Sequence, residues 1–437
     1  MFAYHHQAMD ENGRFGRDGV MIQEKSTLQV IDFSTSSTKL DELLSCVKNN
    51  LPRWVASART KRILFGFDGV LDQIYTVVAR RNSVDDYERL KSIGEWAEIV
   101  KNAAGSAANF EIIEKKRTTG GFVANTAASL LALAAPLDDV TLVGGFGIDG
   151  IAAPFKDLFG TGFKCKLISI GAPGYTHAYE FDDGKLMMTS FASILTLDVD
   201  TIVAAIPEKQ LVNMLNGAAL FGLGYWSITP GMTAIFKFFA TKVFTAIQKP
   251  LDLFLDLASL RKRSEDDIRE MAVIINLFPE QIRVTLSLND KEAMQLYEAL
   301  SRRKVADDFP ATEISLDNKG LFVFLAEKVQ EQLPRCHVII HTPKFALSIS
   351  DKQASIVPNA YTRHASFSVA AGDAFNGGVI LGLLAGCTPQ EMLVIGNATT
   401  SYFIRTGVRC NQGQCIEFLI QYRHYLQADH PEIIHEP

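Results

Sequence analysis

No C-x-x-C pair occurs among the six cysteines Cys46, Cys165, Cys336, Cys387, Cys410 and Cys415, and none has the compact Cys/His spacing of a zinc site. They read as reduced thiols of a cytoplasmic protein. No uncharged run of about 18 apolar residues is present and no basic-then-apolar leader opens the chain, so neither a membrane span nor secretion is expected. Long basic runs are missing too, and the net charge is only -6 over 437 residues. Nucleic acid and anionic membranes are therefore not expected as partners, whereas a small-molecule site is. There is no internal repeat and no low-complexity block. What remains is core material, 47% hydrophobic and 21% charged, enough for one large domain or two smaller ones.

Residues 1–25 are polar and glycine-containing without a helical or strand period, which predicts a flexible extension before a domain over 26–437. The pair His5 and His6 there is too little for a metal site. From Ser37 the run K-L-D-E-L-L-S-C-V-K-N-N-L-P-R-W-V has helical spacing, and R-I-L-F-G-F then changes to strand character. Helix Val123–Ala134 and strands at 140–144, 165–170 and 251–257 follow. Then come helix 264–278, strand 282–288, helix 291–302, strand 337–341 and a helix beginning near Asp373. Short apolar strands alternating with amphipathic helices predict an α/β fold of three layers, a mostly parallel sheet with helices on both faces. Two polar segments interrupt it, 109–117 and 176–189, the second alternating around an Asp-Gly turn. With a stretch near 73–82, segments near 109–118 and 174–190 are read as a small antiparallel flap, or lid, over a site. Its strand edges also offer a way to pair two subunits.

In such folds sites form at the carboxyl ends of strands. Two signals compete there. Gly145, Gly147 and Gly150 follow strand V-T-L-V-G with the G-x-G-x-x-G spacing of a dinucleotide site, which points to an NAD-dependent oxidoreductase. Against it, Asp149 would meet the pyrophosphate, and no acidic residue ends the next strand to hold a ribose. The other signal is a set of polar residues at successive strand ends: Asp68 and Asp72, the Gly120-Gly121 turn with Asn125, Asn289 with Glu292, His341 to Lys344, and Ala370 to Asp373. In S-V-A-A-G-D-A-F-N-G-G a carboxylate stands among small residues where a helix begins. That helix end would present unpaired N–H groups and partial positive charge to an anion. Capping alone would also explain Asp373. Glu292 in a first helical turn, Asp72 in a turn, Lys344 on the surface, and Asn125 as a packed or solvated residue have equally plain readings. Trp226 reads as core.

From about residue 60 to 425 the sequence resembles the ribokinase/PfkB-type sugar kinases. Ala370-Ala371-Gly372-Asp373 resembles the family's G-A-G-D segment, Asn289-Asp290-Lys291-Glu292 its N-x-x-E, Gly66 to Asp72 its early G-x(n)-D, and Gly120, Gly121 and Asn125 its G-G-x-x-x-N. The stretch N-A-T-T-S-Y-F-I-R-T-G at 397–407 resembles the late nucleotide-side helix. The resemblance implies a ribokinase-like fold and a phosphotransferase that moves a nucleotide phosphate to a hydroxyl of a sugar or nucleoside. It implies an anion hole at Ala370, Ala371 and Gly372 with Asp373 as base, and sugar contacts at Asp72, Asp68, Gly120, Gly121 and Asn125. Nucleotide contacts are implied at Asn289, Lys344, Asn376 and Asn397. Glu292 and Asn289 would act on Mg²⁺ through water. Two departures stand out. The first motif glycine is Ala370, and Phe367-Ser368-Val369 replaces the usual polar D-T-x, which keeps a non-catalytic sugar- or nucleotide-binding regulator in view. G-F-D-G-V-L-D and H-T-P-K-F-A are similar to segments of ADP-dependent sugar kinases, so the donor is open between ATP and ADP.

Overall fold

Residues 28–367 and 369–434 are described by the structure, a computed structural model. The extension expected over residues 1–25 lies outside the described residues. Among them, ten strands form one sheet. Its spatial order is Gln29–Asp32, Gln353–Pro358, Phe345–Ser350, Cys336–His341, Ile282–Asn289, Leu251–Asp256, Leu220–Gly224, Arg62–Gly66, Asp139–Gly144 and Lys166–Ser169. From Cys336–His341 to Lys166–Ser169 every neighbouring pair runs parallel. Phe345–Ser350 is antiparallel to both of its neighbours.

The central strands are apolar throughout because helices cover both faces. Leu220–Gly224 is buried at every position. One face packs against helices Glu265–Asn276, Asp290–Ser301 and Lys319–Gln332; the other packs against Ser37–Ala58, Gly121–Ala134, Ala371–Ala385 and Pro389–Thr406. The result is the expected three-layer α/β/α architecture. Sequence periodicity located most of these elements to within a few residues. It overlooked Leu220–Gly224, whose two glycines mask a strand, the hairpin Phe345–Pro358, the edge strand Gln29–Asp32 and helix Lys319–Gln332.

A second sheet of five strands holds Tyr87–Arg89, Val70–Arg81, Gly174–Phe181, Gly184–Ser190 and, on Val70–Arg81, Ile112–Gly120. These strands take in the segments read as a flap. The sheet is antiparallel apart from one parallel pairing, Val70–Arg81 with Gly174–Phe181. The chain leaves the large sheet at Gly66 and enters the small one at Val70, so Phe67, Asp68 and Gly69 form the bridge between them.

Helix Ala371–Ala385 is wedged between two others, and its Gly377-Gly378 pair makes that possible. A Cβ on Gly377 would stand 2.6 Å from Ser129 Cβ on one side, and one on Gly378 would stand 2.9 Å from Gly396 Cα on the other. Alanine in a helix gains about 1 kcal/mol over glycine, but overpacking a close contact costs about 1–3 kcal/mol. Gly377→Ala is therefore expected to lower the urea midpoint of unfolding, and an unchanged or raised midpoint would refute the close-packing explanation.

Candidate active site

The carboxyl edge of the large sheet gathers four carboxylates from four elements: Asp68 after Arg62–Gly66, Asp256 at the end of Leu251–Asp256, Glu292 in the first turn of Asp290–Ser301, and Asp373 in the first turn of Ala371–Ala385. Asp373 is only 8% exposed. Its Oδ1 accepts a hydrogen bond from Thr126 Oγ1 at 2.9 Å. Burial, Asp256 and Asp68 push its carboxyl well above the usual carboxylate range, while Thr126 and Arg409 pull the other way. The helix start beneath it has its cap, Ala370, in the left-handed region at φ 66°. The amides of Ala371, Gly372 and Asp373 fall in the first turn, where no intrahelical acceptor exists. Backbone N–H groups and the positive end of a helix thus meet a buried carboxylate at one point.

Asp68 is buried, and both its oxygens are engaged: Oδ2 accepts from Phe122 N at 2.7 Å and Oδ1 from Val123 N at 2.8 Å. It caps helix Gly121–Ala134 from outside, and burial lifts its carboxyl to about 7. Asp72 is half-buried on the small sheet, in register with Thr118 and Thr176, and burial raises its carboxyl. The Gly120-Gly121 pair accommodates both carboxylates, since a Cβ on Gly120 would stand 2.4 Å from Asp72 Oδ2 and one on Gly121 2.4 Å from Asp68 Oδ2. Asn125, one turn into the same helix, accepts from Arg409 Nη2 at 2.8 Å.

Asn289 and Glu292 form a reciprocal capping box: Asn289 Oδ1 accepts from Glu292 N at 2.9 Å, and Glu292 Oε2 accepts from Asn289 N at 3.0 Å. The plain reading of this pair is therefore present, but Glu292 is 7% exposed, and burial and Asp256 push its carboxyl upward. A solvated capping glutamate would show the opposite shift. Asn376 is fully buried and bridges strands, donating to Asp256 Oδ2 at 2.9 Å and accepting from Ser287 Oγ at 2.7 Å. Asn397 is also buried, with Nδ2 3.3 Å from the carbonyls of Val357 and Pro358. It lines a cleft of about 470 Å³ with Asn289, His341, Tyr361, Gly372 and Thr400. Lys344 is exposed on an adjoining depression, its Nζ 4.8 Å from the Tyr361 ring centroid.

Sequence reasoning missed Asp256, Thr126, Tyr225 and Arg409. Asp256 had a signal, a carboxylate ending an apolar strand. Tyr225 had none: it follows Leu220–Gly224 with φ 60°, and burial, with the charges of Asp373, Asp68, Asp256 and Asp72, pushes its phenol well above its usual value. The glycine-rich loop Gly145–Gly150 leads only into the short helical segments Ala153–Phe155 and Lys156–Gly162. Its Gly147 is pressed against Gly150 O, where a Cβ would stand at 1.9 Å. The loop folds on itself instead of opening a long helix toward a pyrophosphate, so the dinucleotide reading is corrected.

A raised carboxyl pKa favours the folded state only while the group is protonated. As pH climbs above the ordinary carboxylate value, the unfolded chain ionises first and the folded state loses stability. Asp373→Asn is expected to raise the melting temperature relative to wild type at about pH 8, with the difference closing toward about pH 4; a variant less stable at the higher pH would contradict the burial of an uncompensated charge. Ala370→Gly relieves left-handed strain of about 1–2 kcal/mol against a glycine entropy cost of about 0.5–1 kcal/mol. It is expected to hold or raise the denaturation midpoint, and a clear loss would argue that the Ala370 methyl packs.

The sequence profile of the prokaryotic ketohexokinase family matches residues 36–422. A ketohexokinase from Haloferax volcanii is 30% identical over 388 residues, covering 88% of this chain and 96% of its own. Among solved structures, ribokinase from Cryptococcus neoformans var. grubii in complex with ADP superposes with a TM-score of 0.53 at 15% identity, over 84% of this chain and 99% of that one. Phosphofructokinase-2 from Escherichia coli with substrates and products gives 0.54 at 14% identity, over 83% and 100%. These neighbours give the fold as ribokinase-like. Sequence and fold together make the protein a carbohydrate kinase, and the chain belongs to the prokaryotic ketohexokinase family.

Proposed function

We propose that the protein moves the terminal phosphoryl group of ATP to a hydroxyl of a ketohexose, with Asp373 as the base. The ketohexose follows from family membership, and ATP from a fold neighbour, the ribokinase of Arabidopsis thaliana, named as complexed with ribose and ATP. The observation that carries the mechanism is Asp373 itself, a buried carboxylate at the start of a helix whose first-turn amides suit a phosphate. Transfer needs in-line positioning and neutralisation of charge spreading over the phosphoryl group. The amides of Ala371, Gly372 and Asp373 and the helix end supply neutralisation. Asp373, held on Oδ1 by Thr126, takes the acceptor proton as the sugar oxygen attacks.

Asp72 and Asn125 serve as sugar ligands, with Gly120 and Gly121 letting the chain pass close beneath. Asp68 acts in this reading by capping the helix that carries Asn125 and Thr126. The cleft between Asn289, His341, Tyr361 and Asn397 takes the nucleotide. Among the described residues no three His, Cys, Asp or Glu side chains come close enough to hold a metal ion in a closed cage. The buried charges of Glu292 and Asp256 nonetheless suit Mg²⁺, an ion that keeps waters and shares substrate phosphates. Glu292 and Asn289 would hold it through water, and its charge would offset that of the phosphates. The five-stranded sheet serves as a lid that excludes water as a competing acceptor. Its exposed Tyr175, Met187 and Met188 suit a homodimer formed through the lids. We place the protein in the cytoplasm, consistent with its free thiols; among the described residues no helix is long and apolar enough to cross a membrane.

A coupled assay with Mg²⁺ tests this, using ATP and ADP separately against ketohexoses, aldoses and nucleosides. Ketohexose-dependent turnover of ATP is expected, with Asp373→Asn lowering kcat about 100-fold or more. Preference for an aldose or nucleoside would overturn the substrate, and full activity of Asp373→Asn would overturn the base.

A further inference from the structure

Arg409 stands two residues beyond Gly407, which ends helix Pro389–Thr406 in the left-handed region at φ 67°. That turn brings the guanidinium to helix Gly121–Ala134, where Nη2 donates to Asn125 Oδ1 at 2.8 Å. The neighbouring residue on the helix, Thr126, donates to Asp373. Arg409 therefore stands where the acceptor-side helix meets the base. Asn125 is 7% exposed, and among the described residues no protein group accepts from its NH₂.

The chemistry of the pair leaves one orientation. An asparagine amide has one acceptor oxygen and two N–H donors, and an arginine has donors only. Turning the amide over would set donor against donor in a buried place, leaving both unsatisfied at a cost of about 1–3 kcal/mol. The oxygen is thus held on Arg409, and the NH₂ is left to donate elsewhere.

We propose that Arg409 is a positioning residue for the sugar: it locks the Asn125 amide so that this position donates to, and selects for, a sugar oxygen able to accept a hydrogen bond. The inference rests on the reading of Asn125 as a sugar ligand. The charge of the same guanidinium favours ionised Asp373, against Asp256 and Asp68, which gives a cation at this position a second use. Lysine in its place is also a donor without an acceptor, so it would keep the Asn125 oxygen turned toward it.

The test is steady-state kinetics on Arg409→Met, Arg409→Lys, Asn125→Ala and the Arg409→Met/Asn125→Ala double variant, with thermal melts to establish folding. Arg409→Met is expected to raise the sugar KM about five- to tenfold, the loss of one oriented hydrogen bond, with the ATP KM within about twofold. Arg409→Lys is expected to recover much of the sugar KM. The double variant is expected to bind sugar no worse than Asn125→Ala, because the arginine acts through the amide. An unchanged sugar KM in Arg409→Met beside a raised one in Asn125→Ala would overturn the proposal alone, as would additive losses in the double variant. An unchanged sugar KM in Asn125→Ala would instead overturn the assignment of Asn125, and the proposal with it. If Arg409→Met fails to fold, Arg409→Leu takes its place with the same expected split.

Discussion

Four carboxylates held together at one edge of a parallel sheet set the constraint to which the rest of the molecule answers. Asp68, Asp256, Glu292 and Asp373 come from separate strand ends; burial pushes all four carboxyls upward, and the charge of Asp256 adds to the rise at Asp68, Glu292 and Asp373. Each unit of such a shift is about 1.4 kcal/mol against the ionised form. Apolar packing on both faces of the ten-stranded sheet supplies the stability that offsets it. What that packing supports is a hollow of negative charge whose natural complement is a cation, a phosphate held by N–H groups, and the hydroxyl protons of a sugar.

The polar groups around the carboxylates hold them in register. Asn376 ties Asp256 to Ser287 and so ties two neighbouring strands to the helix that carries Asp373. Asp68 caps the helix that carries Thr126, and Thr126 holds Asp373. The Gly377-Gly378 pair seats the same helix against its neighbours on both sides. Asn289 and Glu292 close a helix end with ordinary reciprocal bonds, while burying a carboxyl that ordinary capping would leave in water.

Much of the fold was legible because apolar runs and helical periods are local properties. Leu220–Gly224 and the Phe345–Pro358 hairpin escaped because glycines in one, and alanines and serines in the other, break up the apolar run that marks a buried strand. Within the site, Asp373, Asn289, Glu292 and Asp72 could be found because each belongs to a short motif with its own spacing. Arg409 could not: it meets Asn125 across 284 positions, and only tertiary structure brings them together. Tyr225 is similar, its place set by a left-handed backbone angle of its own, φ 60°, which the adjoining Gly224 does not foretell. Asp68 was legible as a site residue, but its commitment to two backbone amides depends on where helix Gly121–Ala134 begins in space.

The dependence of kcat/KM on pH for the wild-type enzyme reads the free protein's essential base most directly. If Asp373 is that base in its crowded, buried setting, activity falls on the acid side with a midpoint well above the ordinary aspartate value of about 4. A kcat/KM that stays level down to about pH 5 would contradict it, because the base would then be an ordinary, well-solvated carboxylate and the crowding of charge at the sheet edge would have no part in the reaction.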